Sequence, residues 1–310
     1  MKNALYILIS LVIFSCSKSN TSSKKQVSNK SNSQKTDFKE ELNKDGNSLL
    51  WRVEGNGIEN PCYIFGSLQV ITAGKFNTIE KLEPFLDKCN SLVLETADEP
   101  KKGNVIDKLT FKNDSIANYL NQEDITEIAD FFDKKMGINK DGFNAFFSKS
   151  KPYLVYSTIA LANYKKTPQI QLMEFQKYAS ENNKKLTGLS SLSNTIALFD
   201  SIPNDTLYSW CLNSIRNYDY SKELILQLEN IYTKQELSKI LPLLEKASPE
   251  FLQYYDLFVG KRLNKWMPTI EQEIKKGETF IGIGALLISC ENNILDRLKR
   301  KGYSVIPIKI

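Results

Sequence analysis

The sequence predicts an α+β fold, in which one central sheet is built from N- and C-terminal strands and a large helical insertion lies between them. Three observations predict this mixed α/β class. Two β-type runs flank a Gly-Asn-Gly turn near residue 56, amphipathic helical patterns fill the middle, and residues 279–310 read as strand, helix and strand. The 310 residues are 41% hydrophobic and 25% charged, which is ordinary for a globular protein.

The first 15 residues have the pattern of a signal peptide. Lys2 supplies a positive start, and residues 4–14 form an apolar run that is shorter than the roughly 20 residues a membrane-spanning helix needs. Ser15 directly before Cys16 is typical of the bacterial lipoprotein cleavage site, which makes Cys16 the predicted attachment site for lipid chains such as palmitate. Because Ser17 and not an Asp follows, we expect an outer-membrane lipoprotein on the periplasmic face of the cell envelope.

Residues 16–47 are predicted to be a lipidated, flexible tether. The stretch is rich in Ser, Asn, Lys and Gln, so it cannot bury enough apolar surface to offset the entropy of ordering it. A flexible coil of roughly 30 residues spans on the order of 30 Å. The expected partner is therefore the membrane, reached through the N-terminal lipid, and residues 48–310 are predicted to form a single folded domain.

Short runs rich in β-branched, aromatic and aliphatic residues predict the strands of the sheet. The first two runs are joined by turn residues and predict a hairpin. The last two are separated by a helical pattern, which predicts a parallel, right-handed crossover. The predicted strands cover residues 49–54, 62–70, 91–96, 185–189, 279–284 and 303–310.

Apolar residues at helical spacing predict the insertion. In residues 124–136 the stripe ends at Gly137, a residue typical of helix C-termini. Pro152 stands where a helix tolerates proline, in its first turn. The predicted helices cover residues 79–88, 124–136, 152–161, 172–182, 192–202, 207–216, 222–231, 235–246 and 292–300.

The composition excludes several kinds of chemistry. The chain has no histidine, so it can form neither a Ser-His-Asp triad nor a Cys-His dyad nor an imidazole-ligated zinc site. Its formal net charge of +5 is too small for its length to indicate nucleic-acid binding. Chemistry in this protein must therefore use carboxylates, thiols, hydroxyls, amines or backbone groups.

Four cysteines follow Cys16 in the chain. An oxidising periplasm permits disulfides, and four cysteines allow three pairings. Cys62 and Cys89 flank adjacent predicted strands, so theirs is the pairing we would examine first among Cys62, Cys89, Cys211 and Cys290. The absence of a Cys-x-x-Cys motif argues against a redox or cysteine-zinc role.

Several segments in order resemble one protein family. The opening LLWRVEGNGIENPCYIFGSLQV, the strand LVLET with Glu95, and the ending TFIGIGALLISCENNILDRLKRKGYSVIPI are similar to the TraB/GumN family, which is related to the Tiki proteases. The resemblance implies a metal-dependent hydrolase fold. In that family two Gly-x-x-His motifs and the strand Glu are thought to form the metal centre, which makes Glu95 the candidate catalytic residue here.

The chain departs from the family at both histidines. The first motif reads Gly66-Ser67-Leu68-Gln69, with Gln69 at the histidine position. A carboxamide is a weak, neutral donor compared with the imidazole that transition metals prefer.

The second motif reads Gly284-Ala285-Leu286-Leu287, with Leu287 at the histidine position, and a leucine donates nothing. Glu95 and Arg262 of the family pattern remain. Glu95 alone cannot supply the three protein ligands of a catalytic zinc, so no cofactor is expected. Glu95 is then either a general acid or base, or a carboxylate paired with Arg262.

Three functions stay open on these grounds. The favoured one is a lipid-anchored pseudoenzyme or binding protein that keeps a cleft for a peptide, protein or small-molecule ligand. An alternative is an active hydrolase in which Glu95, with Asp98, Glu99 or another acid, holds Mn²⁺ or Mg²⁺ through oxygen ligands, or in which acid–base chemistry proceeds without a metal. The third is an interaction lipoprotein outside the family.

Overall fold

The computed structural model describes residues 47–97, 102–164 and 167–310. Six strands of this part form one mixed sheet in the order β4-β3-β5-β2-β1-β6. The fold is therefore the predicted mixture of α and β structure. The strands are β1 Leu50–Gly55, β2 Ile58–Ser67, β3 Ser91–Thr96, β4 Lys185–Ser190, β5 Thr279–Gly284 and β6 Ser304–Ile308.

The predicted hairpin is formed by β1 and β2, which pair antiparallel. Gly55 faces Ile58 across a two-residue turn, and both turn residues, Asn56 and Gly57, have positive φ. That conformation matches the twist of a hairpin and favours Asn-Gly. The strand β2 begins at Ile58, four residues earlier than predicted. Its first residues are mostly polar and exposed, and they belong to the part of the hairpin that extends past the buried core.

Four neighbouring strands, β4, β3, β5 and β2, run parallel to one another. Their carboxyl ends therefore meet at one edge of the sheet. The last strand, β6, pairs antiparallel with β1 and not with β5. The predicted β-α-β crossover thus does not join neighbouring strands, because the hairpin of β1 and β2 lies between β5 and β6.

The predicted helices of the insertion are present with shifted boundaries, but the helices Lys102–Leu109, Lys140–Phe147 and Lys261–Ile274 were not predicted. Asn121 caps its helix by accepting a hydrogen bond from Asp124, and Gly137 ends the same helix in the left-handed conformation. A π-helical segment, Asp256–Gly260, leads directly into α11. The helices are α1 Thr78–Leu86, α2 Lys102–Leu109, α3 Gln122–Met136, α4 Lys140–Phe147, α5 Pro152–Leu161, α6 Gln171–Glu181, α7 Leu192–Phe199, α8 Asn204–Arg216, α9 Tyr218–Thr233, α10 Ile240–Ala247, α11 Lys261–Ile274, α12 Leu286–Ser289 and α13 Ile294–Arg300.

Two large clusters of buried side chains hold these layers together. One covers the sheet and includes Trp51, Phe65 and Phe280. The other lies within the helical insertion and includes Phe132 and Tyr208. Aromatic side chains bury large apolar areas, so they supply much of the hydrophobic stabilisation of both clusters.

The structure contradicts a disulfide between Cys62 and Cys89. Both cysteines are buried free thiols, as are Cys211 and Cys290. The Cys62 thiol donates to the Ile274 carbonyl at 3.5 Å, and the Cys89 thiol donates to Phe85 at 3.3 Å. The Cys62 and Cys89 thiols thus have separate backbone acceptors. Burial also raises the pKa of the Cys89 thiol to about 12.

The signal peptide, Cys16 and all of the tether but its last residue lie outside the described residues. Within the residues that the structure describes, no helix is both long and apolar enough to cross a membrane.

Candidate functional site

The two glycine motifs meet at the carboxyl edge of the parallel strands. Ser67 at the end of β2 is the register partner of Gly284 at the end of β5. The Ala285 N–H donates to the Ser67 carbonyl at 2.8 Å, which ties the two motifs together beyond the strands. The two motifs therefore share one location, at the edge where parallel sheets commonly form ligand sites.

Glu95, near the end of β3, reaches the same edge. Its Oε1 accepts a hydrogen bond from the Gly284 N–H at 2.7 Å, and its Oε2 accepts from Arg262 Nη2 at 2.5 Å. The Arg262 and Glu95 side chains are only 13% and 12% exposed. Of the two roles open for Glu95, the structure therefore favours the carboxylate paired with Arg262.

Gln69 and Leu287 flank this ion pair from the two motifs. The Gln69 amide nitrogen lies 3.5 Å from Glu95 Oε2, at the outer limit of a hydrogen bond. Leu287 is buried in the short helix α12. At the two positions where the family has histidines, this chain therefore has a weak amide donor near Glu95, which is Gln69, and an alkyl side chain, which is Leu287.

Arg262 is positioned by the π-helical segment before it. A π-turn inserts one extra residue per turn and is frequent at functional sites. Here the segment contains Phe258 and ends two residues before Arg262. The Phe258 and Arg262 side chains line the same cavity. The Arg262 guanidinium also lies over the Trp266 ring, 4.3 Å from its centroid. Stacking and ion pairing together hold the cation in one place.

Gly66 and Ser67 have structural roles. A Cβ on Gly66 would lie 2.3 Å from the Ile288 Cδ1 atom and 3.2 Å from the Ala285 Cα atom, so any side chain here would force α12 or the Ile288 side chain to shift. The Ser67 hydroxyl donates to the Ile283 carbonyl at 3.1 Å. Its proton thus goes to the backbone and not to a catalytic base.

A cavity of about 140 Å³ opens beside the ion pair. The strand ends form one wall, and helices of the insertion form the others, so the insertion covers the site. Most of the wall is apolar. The lining residues are Ser67, Leu68, Gln69, Val70, Glu95, Tyr156, Ala160, Asn163, Tyr164, Ile225, Leu228, Glu229, Ile240, Leu244, Phe258, Arg262, Gly284, Ala285, Leu286 and Leu287.

Glu229 on α9 also lines this cavity, and it was not among the site residues predicted from the sequence. Its side chain is only 1% exposed. Its Oε1 accepts from the Thr72 N–H at 2.6 Å, and its Oε2 lies 2.9 Å from the Lys75 ammonium. The sequence does contain a signal for Glu229. It follows Leu228 within the apolar stripe of an amphipathic helix, and a glutamate at such a position faces the protein interior.

The residues at the family's metal positions do not fit a divalent cation. They supply the Gln69 amide, the Leu287 alkyl group and a Glu95 carboxylate whose two oxygens already accept hydrogen bonds. Within residues 47–97, 102–164 and 167–310, no three acidic or thiol side chains cluster as a metal site would require. Asp98 and Glu99, the other predicted oxygen ligands, lie outside the described residues.

The fold and site define a class of protein. It is an α/β domain whose parallel strands end in two glycine motifs beside a glutamate, under a helical cover that leaves a small cavity. A family model described as the TraB/PrgY/gumN family matches residues 49–307, and the chain belongs to this family. No curated protein and no solved structure matches the chain.

Proposed function

We propose that this protein is a lipid-anchored member of the TraB family that has lost catalysis and binds a ligand in its cavity. The observation that carries the proposal is the engagement of both Glu95 oxygens by Gly284 and Arg262. Each oxygen of this carboxylate already accepts a hydrogen bond, so a cation would have to displace the Arg262 guanidinium or share an oxygen with it.

Electrostatics argue in the same direction. The Arg262 guanidinium places a positive charge against the carboxylate that would otherwise hold the metal. Two unit charges about 4 Å apart repel by about 4 kcal/mol at an effective dielectric constant near 20, and a divalent ion feels more. The family pattern holds an arginine here as well, but its two histidines supply metal ligands that offset this repulsion, and Gln69 and Leu287 do not.

A binding role follows from what the cavity retains. Leu287 turns a position of metal ligation into apolar wall, and buried side chains such as Phe258 and Leu244 extend that wall. Small-molecule sites in proteins combine apolar walls with a few placed polar groups. A small molecule, or one side chain of a peptide or protein partner, suits such a cavity.

Metal content tests the loss of catalysis. The protein is purified, incubated with Mn²⁺, Co²⁺ or Zn²⁺, desalted and subjected to elemental analysis. We expect far less than one ion per chain, and no difference between the native protein and Glu95→Ala. Stoichiometric metal that disappears in Glu95→Ala, but not in the exposed control Glu181→Ala, would support the alternative of a rebuilt, active Mn²⁺ or Mg²⁺ hydrolase.

Fractionation tests the anchor and the localisation. Cys16→Ser removes the thioether on which lipid attachment depends, so the variant should leave the outer-membrane fraction and become soluble. Cys62→Ser serves as a control because Cys62 is buried. Continued membrane association of Cys16→Ser would contradict the lipoprotein proposal.

A further inference from the structure

The cavity has a second polar end, formed by the helical insertion. Glu229 lies there near Tyr164, whose hydroxyl is affected by the Glu229 charge, and the adjacent residue Asn163 lines the same cavity. The Asn163 amide nitrogen donates to Ala160 at 3.1 Å, but its Oδ1 atom is buried and accepts no hydrogen bond from the described residues. Burial, and next the charge of Glu229, raise the pKa of the Tyr164 hydroxyl, which keeps it protonated. This end therefore offers a buried carboxylate and an unused amide acceptor.

The charges of the lining are unbalanced at this end. Arg262 neutralises Glu95, which leaves Glu229 as the remaining charged group among those lining residues that the structure describes. Its partner Lys75 does not line the cavity, and the Lys75 side chain is 38% exposed. Because the Lys75 ammonium reaches solvent, it can return to water when another cation takes its place and keeps the buried Glu229 carboxylate paired.

Size limits what can enter. A dry protein cavity of about 150 Å³ accommodates one benzene molecule, and this cavity measures about 140 Å³. A ligand of about six to eight non-hydrogen atoms therefore fits. Its body would contact apolar wall such as Ile225, Leu244 and Phe258.

We propose that the cavity binds a small primary amine with an apolar body, whose ammonium group takes the place of Lys75 at Glu229 and donates to Asn163 Oδ1. The proposal rests on the proposed function, in which the cavity is a ligand site. An ammonium carries three donors and no acceptor. It can therefore donate both to the Glu229 carboxylate and to Asn163 Oδ1. An anionic ligand would meet the buried Glu229 carboxylate, while the guanidinium that could attract it is already paired with Glu95.

Isothermal titration calorimetry with three probes of nearly equal size tests the amine preference. Benzylamine, benzyl alcohol and benzoate are titrated into the full chain at pH 7.5. We expect benzylamine to bind at least about tenfold more tightly than either of the others, which corresponds to about 1.4 kcal/mol. Equal affinity for the alcohol, or a preference for benzoate, would overturn the amine proposal and leave ligand binding in the cavity intact.

Variants on both sides of the ion pair sharpen the test. Glu229→Gln keeps an acceptor for Thr72 and should weaken benzylamine at least about tenfold without weakening benzyl alcohol. Glu223→Gln, exposed on the same helix, is the matched control and should change neither affinity. Lys75→Met removes the competing ammonium and should tighten benzylamine binding severalfold.

The failures are distinguishable. If none of the three probes binds the native chain, both the amine proposal and ligand binding in this cavity are overturned. If benzylamine binds tightly but Glu229→Gln and Lys75→Met leave its affinity unchanged, the ammonium does not sit at Glu229 and the amine proposal alone fails.

Discussion

At the scale of single residues, the contact between Glu95 and Arg262 determines what the site can do. The pair is nearly buried, and the Gly284 N–H satisfies the carboxylate oxygen that Arg262 does not reach. Removing one partner of a buried pair leaves an uncompensated charge in a medium of low dielectric constant, which is far more costly than losing both.

The first prediction concerns this pair. Arg262→Met should lower the free energy of unfolding by about 3 kcal/mol, because it leaves the Glu95 charge buried without its partner. Urea denaturation followed by circular dichroism measures the change. Adding Glu95→Gln should restore part of the loss.

The exposed pair of Lys177 and Glu181 provides the control, since the Lys177 side chain is 74% exposed. Lys177→Met should lower the free energy of unfolding by about 0.5 kcal/mol or less. Equal effects of Arg262→Met and Lys177→Met would contradict the importance of the buried pair.

The second prediction concerns the thiols. Burial raises the pKa of Cys89 and of Cys290 to about 12, so at pH 8 almost none of either is the reactive thiolate. In a Cys16→Ser background, a chromogenic disulfide reagent should titrate no thiol in the native protein and four in urea. A count of two in urea would mean that the sequence-based pairing was right after all.

The sequence predicted part of the site at this scale. Glu95, Arg262 and the lost histidines were found because the family motifs fix their positions in the chain. Asn163 and Glu229 could not be assigned to the cavity in this way, because only the packing of the helical insertion over the strand ends brings them to its wall.

At the scale of elements, the close contact of β2 with the short helix α12 shapes the site. Gly66 lies under Ile288 of that helix, and the Tyr232 hydroxyl donates to the Gly66 carbonyl at 3.0 Å from α9. The strand β2 therefore contacts both α12 and α9 at the position of Gly66.

The third prediction tests this contact. Gly66→Ala should lower the free energy of unfolding by about 1–3 kcal/mol, because the new methyl group overlaps Ile288 and forces α12 outward. Adding Ile288→Val removes the overlapping Cδ1 atom and should recover part of that loss in urea denaturation. If Gly66→Ala is as stable as the native chain, the strand and helix are not in this contact.

Element types were more predictable than their boundaries and neighbours. Short apolar runs identified each of the six strands, since parallel strands such as β3 and β5 are buried along almost their whole length. They did not place β6 beside β1, because strand pairing depends on non-local backbone hydrogen bonds that no local pattern encodes. The helix α9 extends beyond its predicted limits on both sides, where its stripe is interrupted by polar residues.

At the scale of the whole molecule, buried titratable groups link stability to alkaline pH. Burial raises the pKa of Cys89 and Cys290 to about 12. Burial also raises the pKa of the hydroxyls of Tyr153, Tyr208, Tyr232 and Tyr255. The unfolded chain would release these protons near pH 8.5 for thiols and near pH 10 for tyrosines.

The fourth prediction follows from this difference. A raised pKa means that the native state keeps its proton, so the stability is complete below about pH 8.5 and falls as pH rises toward 12. Each such group contributes a loss of up to about 1.4 kcal/mol per pH unit in that window. Urea midpoints at pH 7.5, 9 and 10.5 measure the decline.

Replacing two of the thiols provides the control. Cys89→Ala with Cys290→Ala should make the decline shallower, because two of the linked protons are removed. Identical midpoints at pH 7.5 and 10.5 in the native chain would show that these groups are not buried as described.

The sequence by itself determined the mixed fold class, the order of the strands along the chain and the loss of every imidazole, since each is written in local pattern or composition. Only the tertiary structure decided that Glu95 is bound to Arg262, that the four described cysteines are free thiols and that the insertion closes a cavity lined by Glu229. The physical reason is that these contacts join residues more than 25 positions apart, and their geometry depends on how sheet and helices pack.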